Sequence, residues 1–227
     1  MSIKNLRLID VGILIFDDFE ILDATGPISV FNAAKIPGNP KDEDPNDKFS
    51  IFYNRFSLFN TKLISVYDQD IVKSSDGTKV IPDYLLSDLQ TNKFNFKPFI
   101  LVIPGGKGIQ PVRKDKKFIQ WLTNFVEDIE ITLSVCTGAY ALAETGLLDT
   151  EEMFTTHWAH SGFLDEEFPH LSDRLALNAR YVDNGTNIIT SAGVSSGIDG
   201  ALRVVARLVS DEVAERVAKR IEYPWLG

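Results

Sequence analysis

Cys136 is the one thiol in 227 residues, and its place in the chain governs what it can do. It follows the apolar run ITLSV and precedes TGAYALAET. A residue between a buried strand and a helix sits on a sharp turn that lifts its side chain to the mouth of the sheet, which is the mechanics of a nucleophile elbow. The positive end of the following helix is expected to draw the thiol below its ordinary pKa of about 8.5 and enrich the thiolate. A lone cysteine is also commonly an inert buried side chain, and position alone leaves both readings open. A single cysteine excludes an intramolecular disulfide and any multi-cysteine zinc or iron–sulfur centre.

Four further segments carry residue types that fit such a site. Asp23, in Leu22-Asp23-Ala24-Thr25-Gly26-Pro27, lies among apolar neighbours just before a helix. Desolvation there would raise its pKa and make it a proton donor or acceptor; a capping or turn role competes. Gly105 and Gly106, in Pro104-Gly105-Gly106-Lys107-Gly108, allow a tight turn whose amides can hold developing negative charge. A plain turn out of a strand is the simpler reading. The segment matches neither the phosphate-loop nor the dinucleotide glycine pattern. His157, in Thr155-Thr156-His157-Trp158, can pair with a cysteine or simply hold loop backbone. His157 and His160 find no third ligand, so no metal site is expected. Finally, Ser191 to Asp199 reads as strand, glycine turn and helix start, with Val194 placed to line a pocket and Ser196 and Asp199 as a capping pair.

These segments need a scaffold, and the hydrophobic pattern supplies one. Val11 to Phe16, Phe99 to Ile103 and Ile131 to Val135 are continuous apolar runs of strand length. Phe49 to Asn54, Leu63 to Tyr67, Thr78 to Pro82, Arg180 to Val182 and Asn187 to Thr190 read as shorter strands, the last two joined by a turn at Asn184-Gly185-Thr186. Helices are expected at Gly26 to Ala34, with Thr25 as N-cap and Pro27 at its first position, and at Lys116 to Glu127, Thr137 to Thr145, Ser196 to Val209 and Asp211 to Ile221. Buried strands alternating with helices imply an α/β fold, a flavodoxin-like layered sandwich with a mainly parallel central sheet flanked by helices. Sites in such sheets lie at the carboxyl ends of the strands, where Asp23, Gly105 and Cys136 all fall. One domain over 1–227 is expected, with a polar loop insertion near 37–48.

Composition narrows the function classes. Lys and Arg number 23 against 32 Asp and Glu, a net charge of −9. Nucleic-acid coating needs clustered cations and is disfavoured. The apolar run at Val11 is too short to span a membrane, and no cleavable leader is evident, so a cytoplasmic protein is expected.

Taken together, the segments resemble the ThiJ/PfpI superfamily, related to class I glutamine amidotransferases, and most of all its isonitrile (isocyanide) hydratase branch. The matching text is VGILIFDDFEILDATGPISVF, ILVIPGGKGI, SVCTGAYALAETGLLD, TTHW and SAGVSSGIDGALRVVARL, ending with IEYPW. The resemblance implies that Cys136 is the nucleophile, that Asp23 contacts its sulfur and shuttles a proton, that Thr137 assists, and that the Gly105 and Gly106 amides face the pocket. His157 matches a histidine found near the cysteine in many members. The resemblance also implies a homodimer, a small-molecule substrate and no cofactor.

The expected activity is therefore cysteine-dependent hydration of a small electrophile in an apolar pocket, an isonitrile giving an N-substituted formamide. Two alternatives stand beside it. One is a stress-response protein whose cysteine is redox-sensitive or glyoxalase-like. The other is a non-catalytic ligand-binding domain of the kind fused to regulators; the chain ends at Gly227 without a basic DNA-reading segment, which disfavours it.

Overall fold

The computed structural model describes residues 8–37, 55–91, 93–94, 96–225 and 227. The expected strand at Phe49 to Asn54, and the polar loop beyond Pro37, lie outside these residues. The strands are β1 (Ile9–Ile15), β2 (Lys35–Pro37), β3 (Arg55–Ser57), β4 (Phe59–Ser65), β5 (Val72–Lys73), β6 (Lys79–Val80), β7 (Tyr84–Leu85), β8 (Ile100–Ile103), β9 (Ile131–Val135), β10 (Tyr181–Asp183) and β11 (Ile188–Ser191). The α-helices are α1 (Ile21–Ala33), α2 (Leu86–Gln90), α3 (Ile109–Lys114), α4 (Lys116–Val126), α5 (Ala139–Glu144), α6 (Ser161–Glu167), α7 (Ser196–Leu208) and α8 (Asp211–Arg220).

Seven strands form one sheet in the order β10-β11-β9-β8-β1-β4-β7. Every pairing in it is parallel except β10 with β11. Parallel strands are covered on both faces and so read as unbroken apolar runs; β8 and β9 are buried along their whole length. Helices α1, α7 and α8 pack together in one layer, while α3, α4 and α5 form another contiguous group. The chain leaves β1 for β4 and β7, then returns to β8 on the other side of β1. The crevice outside the carboxyl ends of β1 and β8 is thus the topological switch point, where ligands bind in such sheets.

The periodicity placed α4, α7 and α8 to within a residue or two. It placed α1 too late. Thr25 does not cap the helix: α1 starts at Ile21 with Pro27 inside it, and the Thr25 hydroxyl donates back to the Ile21 carbonyl at 2.9 Å. The short α2, α3 and α6, the paired strands β2 and β3, and β5 carry too few residues for a period to show, while β6 falls within the extended segment expected at Thr78 to Pro82. The turn at Asn184 to Thr186 is present, with Gly185 at φ 82° and its amide bonded to Asp183.

Candidate active site

Four neighbouring parallel strands, β1, β8, β9 and β11, end on one side of the sheet, and the segments that follow them converge. Cys136 follows β9 at φ 57°. Left-handed backbone is rare for a residue with a side chain and costs about 1–3 kcal/mol, so the surroundings must enforce it. They do so on both sides. The Cys136 amide donates to the Ala192 carbonyl at 3.0 Å, and its own carbonyl accepts the Thr156 hydroxyl at 2.8 Å. Thr156 is itself buried, and the Thr155 amide beside it donates to the Thr190 hydroxyl at 2.8 Å on β11. The Thr155-Thr156 pair therefore works as a bracket for the elbow, a role that the sequence reading missed.

Asp23 lies in the first turn of α1, fully buried. Its Oδ2 accepts the Gly105 amide at 2.9 Å, while Oδ1 has no hydrogen-bond partner. An ionised carboxylate with one bare, dehydrated oxygen is costly. Burial, reinforced by the nearby Glu20 carboxylate, pushes the Asp23 carboxyl up to about 7. The Cys136 thiol and the Val194 amide lie near enough to favour its charge, without completing a hydrogen bond to Oδ1. The thiol and the carboxyl form a coupled pair. Burial first, then the Asp23 charge, push Cys136 up to about 12. The amides of Thr137 and Val194 pull the other way. The expected low-pKa thiol is thus overturned: a 3-10 turn and the six-residue helix α5 are outweighed by desolvation and by the carboxylate.

The glycine turn after β8 also differs from expectation. Its amides are already engaged: Gly105 donates to Asp23, and Gly106 donates to the Thr137 hydroxyl at 3.1 Å. Gly106 needs to be glycine, since its φ is 106° and an added Cβ would lie 2.4 Å from the Glu20 amide nitrogen. The turn positions Asp23 and Thr137 rather than presenting an oxyanion hole. The amides that face the sulfur are those of Thr137 and Val194. Val194 also has left-handed backbone, at φ 49°.

Cys136, Thr137, Gly106, Val194 and His157 line one cleft of about 320 Å³. Glu20, Ser75, Lys107, Gln110 and His160 complete it, so polar and charged groups are set into a lining that is mainly apolar, as expected. Glu20 was legible in principle, one helical turn before Asp23. His157 accepts the Ala159 amide on Nδ1 at 3.2 Å, which leaves Nε2–H as the donor of the neutral ring. Burial, then His160, hold its pKa below the ordinary value. His157 is therefore both a loop-holding residue and a pocket wall. Asp199 is not the capping partner of Ser196: it accepts from Arg180 Nε and the Tyr223 hydroxyl, both at 2.7 Å. Among the described residues no cluster of His, Cys, Asp or Glu has the arrangement to hold a metal ion, and no helix is long and apolar enough to cross a membrane.

Known proteins are similar to this chain in sequence and in fold. The chain is 26% identical over 189 residues to isonitrile hydratase of Pseudomonas putida, a match covering 83% of this chain and 67% of that protein. It is 43% identical over 61 residues to the HTH-type transcriptional regulator GlxA of Rhizobium meliloti, covering 27% of this chain and 18% of the regulator. Oxidized DJ-1 of Toxoplasma gondii superposes with a TM-score of 0.72 at 23% identity, covering 96% of this chain and all of that one. A ThiJ/PfpI family protein of Pseudomonas syringae gives 0.70 at 22% identity, covering 96% of this chain and 76% of its own. The DJ-1/PfpI family profile matches residues 10–207, nearly the whole described sheet with its site, and the chain belongs to the DJ-1/PfpI family.

Proposed function

We propose that this protein adds water to a small electrophile through covalent catalysis by Cys136, with an isonitrile as the first substrate class to test. The observation that carries the reading is the pairing of Cys136, on an enforced left-handed elbow, with a buried carboxyl whose pKa lies near neutrality. A general acid–base works best when its pKa is close to the working pH. With its pKa raised toward neutrality, Asp23 can both take and return a proton near pH 7, and it takes the thiol proton as sulfur attacks. A preformed thiolate is not required.

For an isonitrile, the Cys136 sulfur bonds to the terminal carbon and Asp23 returns the proton to that carbon, giving a thioimidate on the enzyme. Water then adds to the same carbon, with one of its protons passing through Asp23 to nitrogen. The C–S bond breaks, sulfur regains a proton from the hydroxyl via Asp23, and the N-substituted formamide leaves. The Thr137 and Val194 amides stabilise sulfur while it carries charge. The likeness to the hydratase supports this substrate class.

The test is formamide release from a small isonitrile by wild type and by Cys136→Ala. Turnover by the wild type no greater than by the alanine variant sinks the hydratase reading. Lys107, Gln110 and His157 on the cleft can donate to a carbonyl oxygen and favour a second substrate class, small reactive aldehydes. Attack by the Cys136 sulfur on the aldehyde carbon forms a hemithioacetal, with the thiol proton passing to oxygen. Cys136-dependent loss of methylglyoxal, with no formamide from an isonitrile, would select it.

A further inference from the structure

Val194 presents a problem that the chemistry above leaves unsolved. Its φ of 49° is left-handed, and a β-branched residue adopts such backbone only when its surroundings over-determine it. The reward is an amide that faces both the Cys136 sulfur and the Asp23 carboxyl. Besides the Cys136 amide on the Ala192 carbonyl and the turn's own bonds into α7, two bonds that hold the turn lead away from the cleft. On one side, the Ala192 amide donates to the Arg180 carbonyl at 2.9 Å. On the other, Arg180 Nη2 donates to the Ser195 hydroxyl at 3.2 Å. Arg180 thus grips the turn through both its backbone and its side chain.

Arg180 is fixed in turn. Its Nε donates to Asp199 Oδ2 at 2.7 Å, and Nη2 donates to the Tyr223 hydroxyl at 2.7 Å. That hydroxyl donates onward to Asp199 Oδ2 at 2.7 Å. Asp199 is buried in the first turn of α7. Tyr223 comes from the IEYPW segment after α8 and is anchored by its amide to the Ala218 carbonyl at 2.9 Å. Burial, then the hydrogen bond to Asp199 and that residue's charge, raise the Tyr223 hydroxyl to about 12, so it remains a donor throughout the working pH range.

We propose that Tyr223, Arg180 and Asp199 form a strut that holds the Val194 turn in its left-handed conformation and so aims the Val194 amide at Cys136, which makes Tyr223 a positioning residue of the site. The IEYPW segment thereby acquires a role at a distance from the cleft. The inference rests on Cys136 being the reactive group and not on which substrate it attacks.

The test is alkylation of Cys136 by iodoacetamide in the full chain, followed by intact mass between pH 6 and pH 9. The titratable and charged groups facing the thiol are Asp23 beneath it and Glu20, Lys107, His157 and His160 around the cleft; the variants alter none of them. Tyr223→Phe keeps the ring and deletes the hydroxyl. Losing a well-aimed amide should slow alkylation roughly three- to ten-fold at pH 8. It should also move the pH profile upward, because that amide favours the charged form of both acids. Ser195→Ala, which cuts only the last link, should shift the profile the same way by less. Adding Val194→Gly to Tyr223→Phe should recover the rate, since glycine holds left-handed backbone without a strut.

A folded Tyr223→Phe that alkylates like wild type at every pH overturns the proposal, as does a double variant with no recovery. If Tyr223→Phe does not fold, Ser195→Ala decides on the same criterion. Because alkylation needs no isonitrile, absent formamide release with a slowed Tyr223→Phe would sink the hydratase reading and leave the strut standing.

Discussion

The Thr156 hydroxyl donates to the carbonyl oxygen of Cys136 at 2.8 Å, and both residues are buried. The bond ties the segment after α5 to the tip of the elbow and satisfies a carbonyl that the left-handed turn removes from the sheet ladder. Thr156→Val keeps the shape and deletes the donor, leaving a buried carbonyl bare. A loss of about 1–3 kcal/mol in urea unfolding is expected. Turnover should fall further than the loss of folded protein explains, because the elbow loosens.

Asp23→Asn tests the raised carboxyl pKa through stability. The folded-state value of about 7 lies above the ordinary value of 3.8. The native state therefore holds a proton that the unfolded chain has already released, and wild-type stability falls as pH rises from about 4 to about 7. Asparagine carries no charge. It should be more stable than wild type at pH 8 by a few kcal/mol, and the advantage should vanish by pH 4. Glu20 and Cys136 also face this carboxyl and are unchanged in the variant. Urea midpoints at the two pH values check it, and equal differences at both would contradict the raised value.

Cys136→Gly and Cys136→Ala separate backbone strain from chemistry. Both remove the sulfur, and both should abolish adduct formation. Only glycine accepts φ 57° without penalty, so Cys136→Gly should unfold about 1 kcal/mol later than Cys136→Ala. Matched denaturation curves for the two would mean that the elbow stores no strain.

Gly193→Ala addresses His157. A Cβ at position 193 would lie 2.1 Å from His157 Cδ2, so the ring must swing away from the Ala159 amide. A cost of roughly 1–3 kcal/mol is expected from the overpacking. Freed from burial, the first cause of its lowered pKa, the imidazole should titrate closer to its ordinary value. NMR titration of the histidine ring protons reads this directly.

Much of the fold was legible because parallel strands and amphipathic helices write their burial into apolar spacing. The runs at β8 and β9, and the periods of α4, α7 and α8, are local signals. Strand order is not local, yet strands alternating with helices already implied that Asp23, Gly105 and Cys136 sit at one end of the sheet. The start of α1 was misread because Pro27 resembles a first-turn proline; packing against the sheet tolerates it inside the helix.

The residue types by themselves determined the chemistry on offer: one thiol, one carboxyl among apolar neighbours and a set of strand-end turns. Only the tertiary structure decided how these groups are poised. It spends the Gly105 and Gly106 amides on Asp23 and Thr137, turns the Val194 amide toward the sulfur, and sets Glu20, Lys107 and Gln110 into the wall of the cleft. It also reverses the expected shift of the thiol, because protonation depends on burial and on the charge nearby. Those are set by residues up to 113 positions distant in the chain, from Asp23 to Cys136, and no local pattern records them.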